Sequence, residues 1–480
     1  MGYANVISME EFKREKVYEE IKGRLHEEVD KWLEGLMEKV GVEGPTLEEI
    51  VEGVFSMRGE LTGKIVEVLI GREYLGYKSE EVERCSGCGK ELKGRGTYER
   101  TVETMVGEVK IERSYFWCDR CGEGFYALDE ELGLSSRKKQ WDIQRRGVSL
   151  STSVPYKEAE GLFGELSGVS ISDHTLHEIV GEVGSGLGVM EVSPTIEEIR
   201  EKIEDVSEGK KWRPILVLAV DGADVPTRPP EAKGKRRGRK RKRAKRAKWK
   251  GQYKEAKGFR LYLVDRDRIK HLLCWHQVQT DKELEESLRE VKEAGLIPED
   301  KVRLCVVADG AKWIWKVVKK LFPEAVLVLD WYHCSEHLHK VASLQYGHDP
   351  ERQTEWIEAT VTRLFCGEVQ EVISDLQRMK PYNQQAEKEI ANLVVYLDNN
   401  KARVDYGSAK KGGYPLGSGA IESSNKLIGH LRLKRPGAWW YVEKANEILA
   451  LRCAKYNGTF NKVFQLYQQK ARLKHSSTAS

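Results

Sequence analysis

The sequence predicts an α/β protein, and three observations predict it. Short β-branched apolar runs end at acids followed by Gly, as in PILVLAVDGADV (Asp221) and RLCVVADGAKWIW (Asp309). Segments of helical period separate such runs. A third acid, Glu422 in PLGSGAIESSNK, follows a Gly-rich turn at a helix start. Open α/β sheets build their sites where buried strands deliver side chains to the C-terminal edge. One strand-end Asp-Gly is also ordinary turn chemistry. Two strand-end Asp and one helical Glu together suit a site that clamps two divalent metals for phosphodiester chemistry.

Taken in order, residues 8–40 repeat apolar positions at spacings of three and four, the pattern of a charged amphipathic helix. Thr46-Leu-Glu-Glu carries the capping signature of a second helix running toward residue 70. This region, 1–80, holds nothing that carries chemistry.

Cys85-Ser-Gly-Cys88 and Cys118-Asp-Arg-Cys121 form two CxxC knuckles, each followed by Gly. Each knuckle puts two thiolates on one tight turn, and two knuckles complete a tetrahedral zinc site. The 29 residues between them include two alternating strands around Val106-Gly107, a hairpin. The spacing therefore predicts a zinc ribbon over 81–130 with one structural Zn2+, since four Cys leave no open position for a substrate. So small a core is folded by its metal.

Residues 131–200 read as helical. A helix over 156–166, a Ser-Gly turn and a second helix capped by Ser172 or Asp173 have helix-turn-helix spacing. The second helix would present His174, Thr175 and His177 to DNA, or simply pack.

From about 210 the pattern is three strands, helix, strand, helix, strand, then a later helix carrying Glu422. The first strand ends at Asp221, and others lie near 259–264, 269–278, 302–308 and 325–329, with helices over 281–294 and 312–322. That order is the one of the ribonuclease-H-like fold. About ninety mostly helical residues, 335–410, intervene as an insertion within a 210–480 catalytic domain.

Composition sets the surroundings. The chain has 480 residues, 40% apolar and 32% charged, room for two to four domains. No apolar run is long enough to span a bilayer. The N-terminus lacks a signal peptide's apolar core, and Val6 breaks the myristoylation pattern. Nine Cys, an odd number with one tight set of four, agree with a reducing compartment. The expectation is a cytoplasmic, nucleoid-associated protein.

The net charge of +4 hides an uneven distribution. Residues 233–250 carry 13 Lys or Arg in 18 positions, and removing those 13 charges leaves the remainder near −9. Such a block, with Arg236, Arg237, Arg239, Lys240 and Arg241 at its centre, repels itself and makes nucleic-acid affinity steeply salt-dependent.

Several long, unusual stretches together resemble DDE transposases of the prokaryotic insertion-sequence family ISKra-four. They are the paired-knuckle ribbon with YFWCDRCGEGFYALDEELGL, then VDGADVP, DGAKWIW, LDWYHCSEHL and GSGAIESSNKLIGHLRLKRPGAWW, running on to LALRCAKYNG. The resemblance runs from about residue 85 onward and is weak before it. It implies Asp221, Asp309 and Glu422 as catalytic ligands of two Mg2+ or Mn2+ ions. It also implies double-stranded DNA, both terminal inverted repeats and target, as partner, and at least a homodimer in the active complex. The expected activity is hydrolysis at element ends followed by strand transfer of the 3′-OH. A metal-dependent nuclease of the same fold and a non-catalytic DNA-binding protein are the alternatives.

Neighbouring residues are weighed against these acids. Asp224 lies past the strand edge, so Asp221 is favoured. Asp330-Trp-Tyr-His333 is similar to an acid-x-x-His element of related transposases, which implies support of the metal ligands or DNA contact. His333 and His337 stand at i, i+4, a metal-capable spacing, yet no acid is paired with them. Asn425, Lys426, Arg432, Lys434 and Arg435, with Trp439 and Trp440 behind, suit a DNA backbone and an unstacked base. Trp313 and Trp315, two apart on one helix, cannot share a face, so at least one should meet a partner or the insertion.

Overall fold

A computed structural model describes residues 9–41, 43–71, 84–85, 87–230, 249–266 and 268–478. The chain is mixed α/β, with a three-stranded sheet in the order β1-β2-β3 and a five-stranded sheet in the order β6-β5-β4-β7-β8. It divides into two compact units, one formed by residues up to Val183 with the chain from Phe464 onward, the other by Gly184–Val463. Arg236, Arg237, Arg239, Lys240 and Arg241 lie outside the described residues.

The first unit begins with the helices Met9–Val40 and Leu47–Ile70. Thr46 and Glu49 close the expected capping box on the second, each side chain taking the other's backbone N–H. Strands β1 (Lys93–Thr104) and β2 (Gly107–Cys118) pair antiparallel, and β3 (Glu123–Tyr126) returns along β2. Alternation puts Val109 and Ile111 on one face, where they join Val102 and Leu128 in a small core. The helices Tyr156–Ser167 and Asp173–Gly184 follow, divided by Gly168. Ser172 takes the Thr175 N–H as N-cap, and His174 and His177 are exposed.

In the second unit the central strand β4 (Ile215–Thr227) is buried on both faces from Ile215 to Val220. This accounts for its unbroken apolar run, since neighbours lie on both edges and helices cover the faces. It pairs antiparallel with β5 (Gln252–Asp265), which pairs antiparallel with β6 (Arg268–Val278). On its other edge β4 runs parallel to β7 (Arg303–Ala308), and β7 to β8 (Val326–Leu329). Thus β5 alone opposes the rest.

One expectation is corrected here. The strand does not end at Asp221: it continues to Thr227, paired with β5 throughout. What stops at Val220 is the parallel ladder with β7. Sequence marks the acid and Gly as a terminus because it cannot see that the β4–β5 hairpin outruns the sheet. Pro226 is accommodated in this extension because β7 no longer lines that edge.

The helix Asp281–Glu293 carries a Thr280–Glu283 capping box and buries Leu284, Leu288 and Val291, one stripe at helical spacing. The helix Lys312–Leu321 follows β7. After β8, the helices Trp331–Tyr346, Pro350–Phe365, Val369–Arg378 and Gln384–Asn400 form the insertion, where Trp331 packs edge-on against Phe365 and Tyr406. The helix Val442–Asn457 closes the edge of β6, the Asn446 and Asn457 side chains accepting the Val278 and Cys274 N–H groups. These bonds satisfy donors that an open sheet edge would leave bare. Among the described residues, no helix is long and apolar enough to cross a membrane.

Candidate active site

Register decides where the acids go. Val220 and Ala308 are partners at the end of the β4–β7 ladder, and Ala308 and Leu329 at the end of the β7–β8 ladder. The next residue on each strand is therefore Asp221, Asp309 and Asp330, three acids side by side along one sheet edge. Asp224, three residues beyond Asp221 on an unbulged strand, points to the other face and is exposed.

The helix Gly419–Asn425 brings Glu422 to the same edge, and its hydrogen bonds fix it there. Asn425 Nδ2 donates to Asp221 Oδ2 at 2.6 Å. Ser418 Oγ bridges Glu422 Oε1, at 3.1 Å, and Asp330 Oδ2. Buried Arg260 donates to the Ala420 carbonyl at 2.6 Å. Ser418, Glu422 and Asn425 are spaced four and three apart, so one helix face meets Asp330, the open edge and Asp221 in turn.

This helix continues into a π-turn, Lys426–His430, a form frequent at functional sites. Arg452 donates to the Leu427 and Ile428 carbonyls there. Burial, reinforced by Arg432, lowers the Arg452 guanidinium to about 10.

The electrostatics follow from this crowding. Burial pushes the Asp221 carboxyl up to about 6; the Gly222 N–H opposes that, while Asp309 and Glu422 add to it. Asp330 behaves oppositely. Burial disfavours its charge, yet hydrogen bonds from His333, Ser418 and the Tyr332 N–H outweigh it and hold the carboxyl below its usual range. His333 Nδ1 lies 2.8 Å from Asp330, and that bond raises the imidazole to about 9. His333 is thus a cation at neutral pH beside Asp221 and Asp309.

Two positions differ from expectation. Asn425 and Arg432 are buried rather than presented to DNA. Asn425 is spent on Asp221, and the Arg432 guanidinium lies 5.0 Å over the Trp440 ring. A polar residue beyond a helical acid reads as surface when its long-range partner is unseen. Lys426 and Lys434 are exposed, and Arg435 is half-buried. His337 packs at a tilt against Tyr396 with centroids 4.4 Å apart, and burial lowers its imidazole. Trp315 is buried with Nε1 donating to the Asp309 carbonyl, and Trp313 lies beneath the Lys257 ammonium.

Sequence reasoning missed Ser418 and Tyr396. The signal for Ser418 was its place one turn before Glu422. Tyr396 had none: it comes from the insertion, where a Cβ on Gly310 would lie 2.5 Å from its ring.

The four cysteines form a second centre, in the first unit. Their sulfurs all lie within 4.8 Å of one another, with Cys85–Cys121 at 3.7 Å and Cys88–Cys118 at 3.6 Å. Those separations are too long for disulfides. They match the edge of about 3.8 Å for a tetrahedron with Zn–S of about 2.3 Å. Gly89 and Gly122, both at positive φ, return their N–H groups to the Cys85 and Cys118 carbonyls and shape the knuckles. The N–H groups of Cys121 and then Arg120 help lower the Cys118 thiol to about 7, favouring the thiolate a metal needs. The cluster can bind a metal ion such as Zn2+. Among the described residues it is the one group of His, Cys, Asp and Glu this close; the three carboxylates are not drawn so near.

The Asn425 bond supports ionised Asp221, which gives a pH-dependent expectation. Asn425→Ala should cost about 1–3 kcal/mol in urea unfolding at pH 7, where Asp221 is charged. Below about pH 6 that carboxyl is protonated and the cost should shrink. An equal cost at pH 5 and pH 7 would contradict it.

A family model described as an uncharacterised protein family, UPF0236, matches residues 46–470. No curated protein matches the chain.

Proposed function

The chain belongs to the uncharacterised protein family UPF0236, and from its site geometry we propose that it is a DDE-type DNA transposase. One observation carries this reading: Asp221 and Asp309 each directly follow the last pair of the parallel β4–β7 ladder, while Asn425, one turn from Glu422, is hydrogen-bonded to Asp221. A protein that merely binds DNA has no use for half-buried carboxylates set side by side along one sheet edge.

The sheet order, with β5 alone antiparallel, supports a ribonuclease-H-like core bearing a helical insertion. The resemblance to the ISKra-four group belongs to the same reading, as do double-stranded DNA as substrate, an active complex of at least two copies and a nucleoid location. The paired knuckles are read as a zinc ribbon with one structural Zn2+.

Asp221, Asp309 and Glu422 would hold divalent cations, Mg2+ or Mn2+. The fit rests on their oxygen donors and on a charge at Asp221 that its neighbours leave under-compensated. When bound, such ions supply Lewis-acid stabilisation of the attacking and leaving oxygens. The chain's own residues do the rest. Asn425 and the Gly222 N–H fix the Asp221 carboxylate, one bond to each oxygen. Ser418 orients Glu422 while tying it to Asp330. Asp330 holds His333 protonated, a cation able to meet a phosphate oxygen.

The test is incubation of purified protein with Mg2+ and labelled DNA carrying the terminal repeats that flank the gene. Joined products are expected. Cut ends without joining would indicate a nuclease, and a gel shift without cutting would leave only a binding protein.

A further inference from the structure

The β4–β5 ladder extends beyond the sheet, and aromatic side chains that the catalytic reading leaves unused gather at its last pairs. Trp439 seats flat over Gly251, where a Cβ would lie 2.3 Å from its ring. Trp249 and Tyr253 pack edge-on against it, with centroids at 5.7 and 5.8 Å. The seat is rigid. Trp440, next in sequence, exchanges backbone hydrogen bonds with Pro226 and Arg228 on the opposing strand, and its Nε1 donates to the Leu433 carbonyl.

Trp439 is partly covered, but Tyr253 is 65% and Trp249 37% exposed. Exposed aromatics on a stiff support mark a contact surface more than a folding need. Trp249 and Lys250 close the run of 13 Lys and Arg over 233–250, and Lys250 is exposed. The nearest acids are Asp224 and Glu255, opposite one another on the hairpin, and Glu255 is bound by Lys257 at 2.6 Å. Exposed rings at the end of so basic a run match a polyanion that carries flat apolar faces.

We propose that Trp249, Tyr253 and Trp439, with Lys250 next to Trp249 in sequence, form a stacking platform for unpaired bases of a DNA strand. The choice of DNA rests on the function proposed above. Stacking demands bases taken out of the double helix, so the platform discriminates unpaired from paired DNA. Asp221 and Pro226 are five residues apart on β4, which puts the platform roughly 17 Å along the strand from the carboxylates. The rings are presented on the face opposite Asp221, because Tyr253 pairs with Pro226 and not with a residue of the Asp221 face. The platform therefore holds DNA at the outer end of the β4–β5 ladder and does not line the carboxylate edge.

The experiment uses the full chain and fluorescence anisotropy with labelled oligothymidine of about 16 nucleotides, oligouridine of equal length and a DNA duplex. Trp249→Ala and Tyr253→Ala should each weaken oligothymidine binding about 5- to 100-fold. Trp249→Phe and Tyr253→Phe should restore most of it, and duplex affinity should stay at the wild-type value. The aromatic variants should leave the salt dependence unchanged, whereas Lys250→Ala should reduce its slope by about 0.7. Oligothymidine binding untouched by both alanine variants overturns the proposal, as does equal loss on duplex. Tighter binding of oligouridine than oligothymidine overturns it in favour of RNA. Cleavage of terminal-repeat DNA by the wild type is measured alongside. Absent cleavage with aromatic-dependent binding sinks the proposed function alone, while cleavage with aromatic-independent binding sinks this inference alone.

Discussion

Cys118→Ser, or treatment with a strong zinc chelator, should unfold the knuckle end of the three-stranded sheet while leaving its far end and the five-stranded sheet intact. The reason is how little else holds the smaller sheet near its knuckles. Its core there comprises Leu92, Phe116 and Ala127 with the buried Cys85 and Cys118 themselves. Burying three such apolar side chains contributes a few kcal/mol, roughly 1.5–3 for each large one. Structural zinc contributes about 10–16 kcal/mol in comparable small sites at neutral pH. The metal wins by that comparison, and a serine hydroxyl cannot replace a thiolate. Hydrogen exchange should show protection lost along β3 and the knuckle ends of β1 and β2, and kept at Val102 and Ile111 in their separate core and along β4 and β7. Metal analysis should find about one zinc per wild-type chain. Full protection of β1–β3 in zinc-free protein would refute the assignment.

Asp309→Asn and Glu422→Gln should each lower DNA cleavage by about 10⁴-fold, as loss of one member of a catalytic unit does, while DNA affinity stays within a fewfold of wild type. Both changes keep shape and remove charge, so a large effect isolates the carboxylate. A double variant should be no worse than either single one, because members of one unit are non-additive. Comparable losses from Asp224→Asn would argue against the present choice, since that side chain is exposed on the other face.

What was legible in the sequence was local. The helix expected over 281–294 is observed as Asp281–Glu293, because the Thr280–Glu283 box and an apolar stripe specify it within a few turns. The helix expected over 312–322 is Lys312–Leu321, and the strand expected over 302–308 is Arg303–Ala308. The knuckles were equally plain, since CxxC followed by Gly encodes its own turn. What was not legible depends on distant partners. The extension of β4 to Thr227 is set by pairing with β5 across the basic segment. Asn425 turns inward because Asp221, 204 residues away in sequence, is there to accept its bond. Tyr396 reaches Gly310 only because the insertion folds back over the sheet edge. No local pattern announces such contacts, and they are the ones that complete the site.

The central claim is that Asp221, Asp309 and Glu422 form one divalent-cation site. Titration of the protein with Mn2+, followed by the loss of its free-ion electron paramagnetic resonance signal, tests this without reference to turnover. Wild-type protein should take up about two ions per chain, and Asp221→Asn, Asp309→Asn and Glu422→Gln should each weaken that same uptake. Wild-type uptake unchanged in all three variants would contradict the account.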